Sequence, residues 1–358
     1  MTPKTDRLSD TENRLCSLYS GCGYSRFRMG KFEEYDLYSR NKDFLVSDNV
    51  ITFTDTNGKL MALKPDVTLS IIKNSRDYPD IVQKVFYNEK VYRVAKGSNG
   101  FREINQIGLE AFGDIDDYSI FEVVSLAAGT LESISDEYML DVSNLSVLTD
   151  ILNEEDISSA SKYEILECIG NKNLHEMKEL CAVSGVSDKN TELLMKLAQL
   201  HGKPETVLPE LRKLLPGNPG IGQLERILEP LEGKKTEIDF SVIGDTHYYN
   251  GIVFKGFIGG IPDSVVSGGQ YDNLMLRMKR KSKAVGFAVY VDLLEELESY
   301  TEEYDVDTVV LYDDSSSISE ISRKIKSLNA QGLSAIAVKR IPSKLRYRQT
   351  VRTESECS

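Results

Sequence analysis

The amino-acid sequence predicts an α+β protein in which helices flank an antiparallel sheet, with a helical insertion and a small C-terminal α/β unit. Three observations support this fold class. Two strand-like runs, at 82–94 and 101–112, are joined by a short polar stretch. Residues 150–232 show helical periodicity punctuated by glycine and proline. From about residue 305, a strand, a helix and a second strand are expected in succession.

The N-terminal half is expected to combine short helices with strand pairs. Asn57-Gly58 is the favoured pair for a two-residue type I′ turn. Pro65-Asp66 marks a helix start, because proline and an acid suit the first helical turn. The predicted elements are a helix at 11–24, a hairpin at 50–63, a helix over VTLSIIKN, the long hairpin with its flexible AKGSNG loop, a helix at 116–134 capped by Asp114 or Asp116, and a strand at 138–143.

The C-terminal half returns to strands after the insertion. The predicted elements are strands at 236–257 and 262–267, a helix at 270–279, a strand at 284–290, a helix at 291–299, and the βαβ unit from about 305. A lone βαβ unit cannot cover both faces of its sheet, so it requires a partner surface. Six basic residues and no acid lie between Lys339 and Arg352. We expect a solvated basic tail there rather than an RNA contact.

Composition limits the function. The 358 residues are 41% hydrophobic and 28% charged, as in soluble globular proteins of two or three domains. No apolar run is long enough to span a bilayer, and the first residues lack a hydrophobic signal, so a cytoplasmic protein is expected. The net charge of −13 disfavours general nucleic-acid binding. Five cysteines without a CxxC pair and three scattered histidines disfavour a metal site or a disulfide scaffold.

Four segments carry polar groups suited to a ligand. Asp66 and Thr68 lie at a strand-to-helix junction, where a carboxylate and a hydroxyl suit an ammonium group. Arg93 ends a strand and is suited to a carboxylate or phosphate. Gln106 and Glu110 share one strand face with Gly108, which leaves space above the sheet. An ordinary solvent-facing strand surface is the alternative for this third segment.

The fourth segment pairs tyrosines with glycines. Tyr248 and Tyr249 supply an apolar wall with hydrogen-bonding tips, and Gly268 and Gly269 allow a backbone to approach a ligand closely. Each signal is weak alone, since a tyrosine pair is more often core, a glycine pair a turn, and a histidine such as His247 structural. Their order along the chain is the informative feature.

That order resembles the catalytic domain of histidyl-tRNA synthetases, which have the antiparallel sheet of class II aminoacyl-tRNA synthetases. The resemblance implies a synthetase-like domain over 1–300 with its insertion at about 150–232, then a truncated anticodon-domain-like βαβ unit and basic tail over 301–358. It rests on the first-motif segment from Gly23-Tyr24 to Asp36-Leu37-Tyr38, and on ITFTDTNGKLMALKPDVT, VYRVAKGSNGFREINQIGLEAFG, HYYNGIVFK, SGGQYDNL and AVGFAVYVDLL.

Departures from the family pattern bear on activity. Gly244 and Leu293 stand where the resemblance places arginines that contact the reacting carboxylate and the phosphates. Gln270 replaces a third arginine, and Asp66 replaces a glutamate. Losing one such cation typically costs ~10³-fold in rate or more. The resemblance therefore implies that adenylation is absent and that no residue is catalytic.

The amino-acid side of the resembling pocket is better preserved. The resemblance assigns Asp66, Thr68 and Gln106 to the α-ammonium of histidine, and Glu110 with Tyr248 or Tyr249 to the imidazole. Arg93 is the candidate to compensate for the missing carboxylate partner. No cofactor is implied.

The pattern matches the branch of this family that serves short-form ATP phosphoribosyltransferase as a non-catalytic regulatory subunit in histidine biosynthesis. The implied partners are the catalytic subunit, a second copy in a homodimer through the first-motif segment within a hetero-octamer, and free histidine, without tRNA or membrane. The resemblance implies activation of the catalytic subunit and a part in feedback by histidine. The alternatives are an active histidyl-tRNA synthetase, disfavoured by Gly244 and Leu293, and a surface-only scaffold that binds no histidine.

Overall fold

The computed structural model describes residues 7–41, 50–78, 80–94, 100–244, 248–297 and 304–352. Contacts divide the chain into a large unit, Glu12–Leu294, and a smaller one that combines Met1–Thr11 with Glu295–Ser358. Most of the predicted AKGSNG loop, residues 95–99, lies outside the described residues, as does His247. Within the described ranges, no helix has the length and apolarity needed to cross a membrane.

The helices begin and end close to the predicted positions in most cases. Those of the described residues are α1 (Arg7–Gly21), α2 (Tyr35–Ser39), α3 (Thr68–Asn74), α4 (Asp117–Ile134), α5 (Leu145–Asn153), α6 (Ser159–Gly170), α7 (Leu174–Ser184), α8 (Asp188–Gln199), α9 (Pro204–Leu214), α10 (Pro219–Leu228), α11 (Asp272–Arg277) and α12 (Ile318–Ala330), with 3-10 helices at Glu229–Leu231 and Val291–Glu296. Asp116 caps α4, because its side chain accepts a hydrogen bond from the Ser119 amide.

The strands of the described residues form one large sheet and two small ones. They are β1 (Ser25–Arg26), β2 (Phe32–Glu34), β3 (Thr52–Thr54), β4 (Leu60–Leu63), β5 (Val82–Val94), β6 (Phe101–Gly113), β7 (Tyr138–Asn144), β8 (His201–Gly202), β9 (Thr236–Asp239), β10 (Ile252–Ile258), β11 (Val266–Gln270), β12 (Lys283–Tyr290), β13 (Val306–Leu311), β14 (Ala335–Val338) and β15 (Tyr347–Arg352).

The large sheet has the order β1-β5-β6-β12-β11-β10-β7-β9-β8. Its centre, from β5 to β7, is antiparallel, while β1 and β9 pair in parallel at its margins. The predicted long hairpin is β5 and β6, which pair continuously from Val82–Gly113 to Val94–Phe101. The predicted α+β fold with an antiparallel sheet and flanking helices is therefore confirmed.

Helix α4 covers one face of the large sheet. Its buried stripe includes Ile120, Val123, Val124, Ala127 and Leu131, the spacing expected of an apolar helix face. Gly256 in β10 faces this helix, because a Cβ at this glycine would overlap the Leu131 side chain. Successive residues of a strand point to opposite faces of the sheet. The residues on either side of Gly256 in β10 therefore point to the face that α4 does not cover.

The predicted helical insertion is present but not purely helical. Helices α5 to α10 occupy it, and α5 begins at Leu145 under an Asn144 cap. The two-residue strand β8 interrupts them and pairs with β9, His201 opposite Asp239. Two residues are too few to produce a period-2 pattern, which is why β8 was not expected.

The β3–β4 turn differs from the predicted two-residue type I′ turn. The Gly58 amide donates to the Asp55 carbonyl, the Asp55 amide donates to the Lys59 carbonyl, and only Gly58 (φ +81°) is left-handed in this turn. The Asp55 carboxylate accepts from the amides of Asn57 and Lys59, both at 2.8 Å. This local bonding favours a longer loop with one left-handed glycine.

The small unit contains the expected strand, helix and strand as β13, α12 and β14. Residues 347–352, part of the expected solvated basic tail, form β15 and pair in parallel with β13, and the side chains of Arg348 and Arg352 are exposed. Val351 packs against the small core around Val310, so apolar burial and ladder hydrogen bonds order this segment. Arg346 also pairs with Asp305 at 2.8 Å.

Candidate functional site

A cavity of about 90 Å³ lies on the face of the large sheet opposite α4. By volume it holds several waters, since one water needs roughly 10–15 Å³. The segment before α3, the strands β5, β6, β11 and β12, and the tyrosines after residue 247 enclose it. Its lining residues are Asp66, Val67, Thr68, Tyr87, Arg93, Gln106, Glu110, Tyr248, Tyr249, Ser267, Tyr271, Gly286, Phe287, Ala288 and Tyr290.

Glu110 lies buried at the base of the cavity. Thr68 Oγ1 donates to Glu110 Oε1 at 2.7 Å, and the Tyr271 hydroxyl donates to Oε2 at 2.6 Å. Burial raises the pKa of Glu110 to about 8, and the nearby Asp66 adds to this while the two hydroxyls oppose it. A buried carboxyl with a raised pKa is poised to receive a cationic or hydrogen-bonding ligand.

Asp66 has a structural role as well as a place in the lining. Its Oδ1 accepts from the Leu69 amide at 2.8 Å, which holds the first turn of α3. Burial raises the pKa of Asp66, while the Leu69 amide and the charge of Arg93 oppose the rise. Arg93 is buried and its Nε donates to the Pro65 carbonyl at 2.8 Å. Arg93 therefore lies on the Asp66 side of the cavity.

Gln106 and Glu110 line the cavity on one face of β6, but the space expected above Gly108 is filled. Tyr87 lies directly opposite Gly108 in the β5–β6 pair, and a Cβ at this glycine would overlap the Tyr87 hydroxyl. Gly108 thus accommodates a tyrosine ring rather than a ligand. Only the strand pairing reveals this, since Tyr87 and Gly108 are far apart in sequence.

Tyrosines form most of the remaining wall. The ring centroids of Tyr248 and Tyr249 are 4.7 Å apart, and those of Tyr248 and Tyr271 are 5.5 Å apart. The sequence pattern singled out the first two but missed Tyr271, although it lies in the SGGQYDNL segment. Tyr290 was also missed, and it stands opposite Gln106 in the β12–β6 pair.

The two glycines of β11 do not line the cavity. A Cβ at Gly268 would overlap Phe287, and one at Gly269 would come within 2.9 Å of the Tyr249 ring. Gly269 therefore allows Tyr249 to pack closely against β11. Gly268 allows Phe287 of the neighbouring strand β12 to do so. The β11 residue that lines the cavity is Ser267, which is hydrogen-bonded to the Tyr249 hydroxyl.

The three positions where arginines were expected hold uncharged residues. Gly244 is left-handed (φ +65°), and a Cβ there would lie 2.7 Å from Tyr249 Cδ2. Gln270 is buried, and its Oε1 accepts from the Ile252 amide at 2.8 Å. Leu293 is half-buried in the second 3-10 helix. Among the cavity-lining residues of the described chain, Arg93 is the only cation.

No group of three or more His, Cys, Asp or Glu side chains is placed to hold a metal ion in the ranges that the structure describes. The cavity instead combines two buried carboxyls, several hydroxyls and aromatic rings. That set suits a small ligand with cationic and planar polar groups.

The fold is the antiparallel sheet of a class II aminoacyl-tRNA synthetase, with a polar cavity on one of its faces. The chain belongs to the histidyl-tRNA synthetase family, whose model matches residues 1–294. The sequence resemblance to this family is thereby confirmed.

Similar proteins of the family carry a second description. One from Clostridium acetobutylicum, named ATP phosphoribosyltransferase regulatory subunit, is 25% identical over 90% of this chain and 84% of its own. A Bacillus halodurans structure described as an ATP phosphoribosyltransferase regulatory subunit/histidyl-tRNA synthetase has a TM-score of 0.78 at 20% identity, covering 96% of this chain and 93% of that one. A chain of the Thermotoga maritima ATP phosphoribosyl transferase (HisG:HisZ) complex has a TM-score of 0.62 at 18% identity, covering 78% and 96%.

Proposed function

We propose that this chain is the non-catalytic regulatory subunit of a short-form ATP phosphoribosyltransferase in histidine biosynthesis. In this role it activates the catalytic subunit and takes part in feedback control by histidine. The names of its curated relatives support the role. The observation that carries the proposal is a difference between two parts of the site. The protein carboxylates Asp66 and Glu110 line the cavity, whereas the three positions where arginines were expected hold uncharged residues.

The kept side fits histidine. Asp66, Thr68 and Gln106 receive the α-ammonium. Glu110 and the tyrosine pair Tyr248 and Tyr249 receive the imidazole. Both carboxyls are buried, so a cationic group placed beside them favours their charged forms, which burial disfavours.

The remaining predicted site residues have supporting roles. Arg93, whose Nε donates to the Pro65 carbonyl, contributes positive charge on the Asp66 side of the histidine site. Gly268 and Gly269 act through the packing of the sheet and of Tyr249 rather than by direct contact.

Adenylation is not expected of this site. The reaction develops negative charge on the transferring group, which cationic side chains stabilise. Gly244 and Gln270 are fitted to Tyr249 and Ile252, so the cations are replaced by packing and a backbone hydrogen bond. Pyrophosphate exchange with histidine and ATP should therefore be undetectable, and exchange above background would restore the alternative of an active histidyl-tRNA synthetase.

The assembly we propose is a homodimer within a cytoplasmic hetero-octamer, without tRNA. The synthetase-like domain comprises residues 1–300 and the C-terminal unit residues 301–358. We propose that two copies contact each other through the first-motif segment. Phe32 of this segment is 57% exposed and packs edge-on against Phe53, which is also exposed, with ring centroids 5.2 Å apart. Such an exposed apolar pair is typical of an interaction surface. In a filter-binding assay at physiological salt, micromolar retention of tRNA would count against the proposal.

The decisive experiment is reconstitution with a short-form catalytic subunit. Adding this chain should raise the rate of phosphoribosyl-ATP formation, and histidine should inhibit the assembled complex. Calorimetry with histidine, on the chain alone, tests the site independently. Activation without histidine binding up to millimolar concentration would favour the surface-only scaffold, and absence of activation would refute the regulatory role.

A further inference from the structure

Lys255 is a half-buried lysine on the cavity side of β10. The next residue, Gly256, faces α4, so Lys255 faces the other way because strand side chains alternate. Its direct partner in β11 is Ser267, which lines the main cavity. Paired residues of neighbouring antiparallel strands have Cα atoms about 4.5–5.5 Å apart, so the lysine stem starts one strand away from the cavity wall.

A second cavity of about 210 Å³ adjoins this lysine. Gly244 lines it together with Lys255, so it includes the position where an arginine was expected. Tyr249 stands between the two cavities: it lines the main cavity, its ring lies against Gly244, and its hydroxyl is bonded to Ser267. Ser267 and Tyr249 are therefore the lining residues of the main cavity that lie on the Lys255 side.

The ammonium group of Lys255 has no ion-pair partner among the carboxylates of the described residues. Asp141 lies directly opposite Lys255 in the β10–β7 pair, but Lys255 is not among the charged groups that act most strongly on it. After burial, the charges that act on the pKa of Asp141 are those of Asp239, Glu237, Lys172 and His201. Glu167 also lines the second cavity, but it forms no ion pair with Lys255. A half-buried cation without an ion-pair partner lowers its free energy by meeting an anion.

We propose that Lys255 binds the carboxylate of the amino acid held in the main cavity and thereby replaces the cation that Gly244 cannot supply. The inference rests on the proposed binding of histidine. The position where an arginine was expected for this carboxylate, Gly244, lies against the Tyr249 ring, whose hydroxyl is bonded to Ser267, so we place the carboxylate on this side of the cavity. Arg93 lies on the Asp66 side, with Nε bound to the Pro65 carbonyl. The four-carbon stem of lysine provides the reach past Ser267.

The test compares histidine with histamine, which keeps the imidazole and the amine but lacks the carboxylate. Both are titrated by calorimetry into the full-length wild-type chain and into Lys255→Met and Lys255→Arg. Lys255→Met should weaken histidine binding by about ten- to a hundred-fold. This is the loss of affinity expected when one charge-assisted hydrogen bond is removed. Histamine binding should change by less than about two-fold, and Lys255→Arg should retain the preference for histidine.

Controls separate this inference from the proposed function. Lys196→Met removes an exposed lysine of α8 and should change neither ligand, while thermal unfolding verifies that each variant is folded. If Lys255→Met weakens both ligands equally, or leaves histidine binding unchanged, the lysine does not contact the carboxylate and the inference is wrong. If the wild-type chain binds neither ligand, the proposed histidine site fails and this inference fails with it.

Discussion

Gly286 lies directly opposite Glu110 in the β12–β6 pair, and a Cβ at this glycine would overlap Glu110 Oε2. The glycine therefore creates the space in which the buried carboxyl sits. Thr68 and Tyr271 then fix both of its oxygens. The central acid of the cavity thus depends on a residue in another strand that has no polar group of its own.

Gly286→Ala should strongly weaken ligand binding, because Gly286 makes room for the Glu110 carboxyl. The methyl group displaces the Glu110 carboxyl from its two hydroxyl donors, and calorimetry with histidine should show at least a ~100-fold loss of affinity. Gly129→Ala is the matched control, because a Cβ at this α4 glycine meets nothing within 4 Å. It should leave binding unchanged and slightly raise the melting temperature, as expected in a helix. Unchanged binding by Gly286→Ala would show that Glu110 is dispensable.

The stability of the ligand-free chain should fall as pH rises, with Glu110 as a main contributor. Its folded-state pKa of about 8 is above its ordinary value of 4.5, so between these values the folded state binds more protons than the unfolded state. The stabilisation is complete below about pH 4.5 and is lost as pH approaches 8, by a few kcal/mol in order of magnitude.

Glu110→Gln removes this titration and should flatten the pH profile of the unfolding free energy, measured by urea denaturation. Asp116→Asn is a suitable control carboxyl, because its exposed side chain caps α4 and its pKa is lowered, not raised. A profile that stays equally steep in Glu110→Gln would assign the pH dependence to other groups.

Gly244→Arg should fail to restore adenylation. The backbone there is left-handed (φ +65°), and the new Cβ would lie 2.7 Å from Tyr249, so the substitution should cost about 1–3 kcal/mol of unfolding free energy. Gly244→Ala should cost a similar amount, because the conflict begins at the Cβ atom. Chemical denaturation and pyrophosphate exchange measure the two effects, and a stable, active Gly244→Arg would contradict both.

Removing residues 347–352 should destabilise the small unit. β13 would lose its parallel partner and Val351 would leave the core around Val310, so the amides of β13 should exchange with solvent faster. The double substitution Arg348→Gln and Arg352→Gln removes two charges but keeps the strand. Equal acceleration in that variant would mean that charge, not pairing, holds the segment.

The positions of helices and strands were easier to predict from the sequence than the contacts between them. Periodicity located α4, the β5–β6 hairpin and the helical insertion, because hydrophobic spacing records which face is buried. It did not reveal that Tyr87 fills the space over Gly108, since cross-strand neighbours depend on register. The strand β15 was not predicted, because the charges of the basic stretch after Lys339 outweigh the apolar pattern of Tyr347 and Val351.

The sequence by itself determined the family and the identity of the polar residues, since the order of the segments and the departures at Gly244, Gln270 and Leu293 are present in the chain alone. The tertiary structure decided how those residues are used. Burial raises the pKa of Glu110, strand pairing sets Gly286 opposite it, and the same sheet brings Lys255 beside the wall of the cavity. These effects depend on distances between remote residues, and such distances exist only once the sheet is assembled.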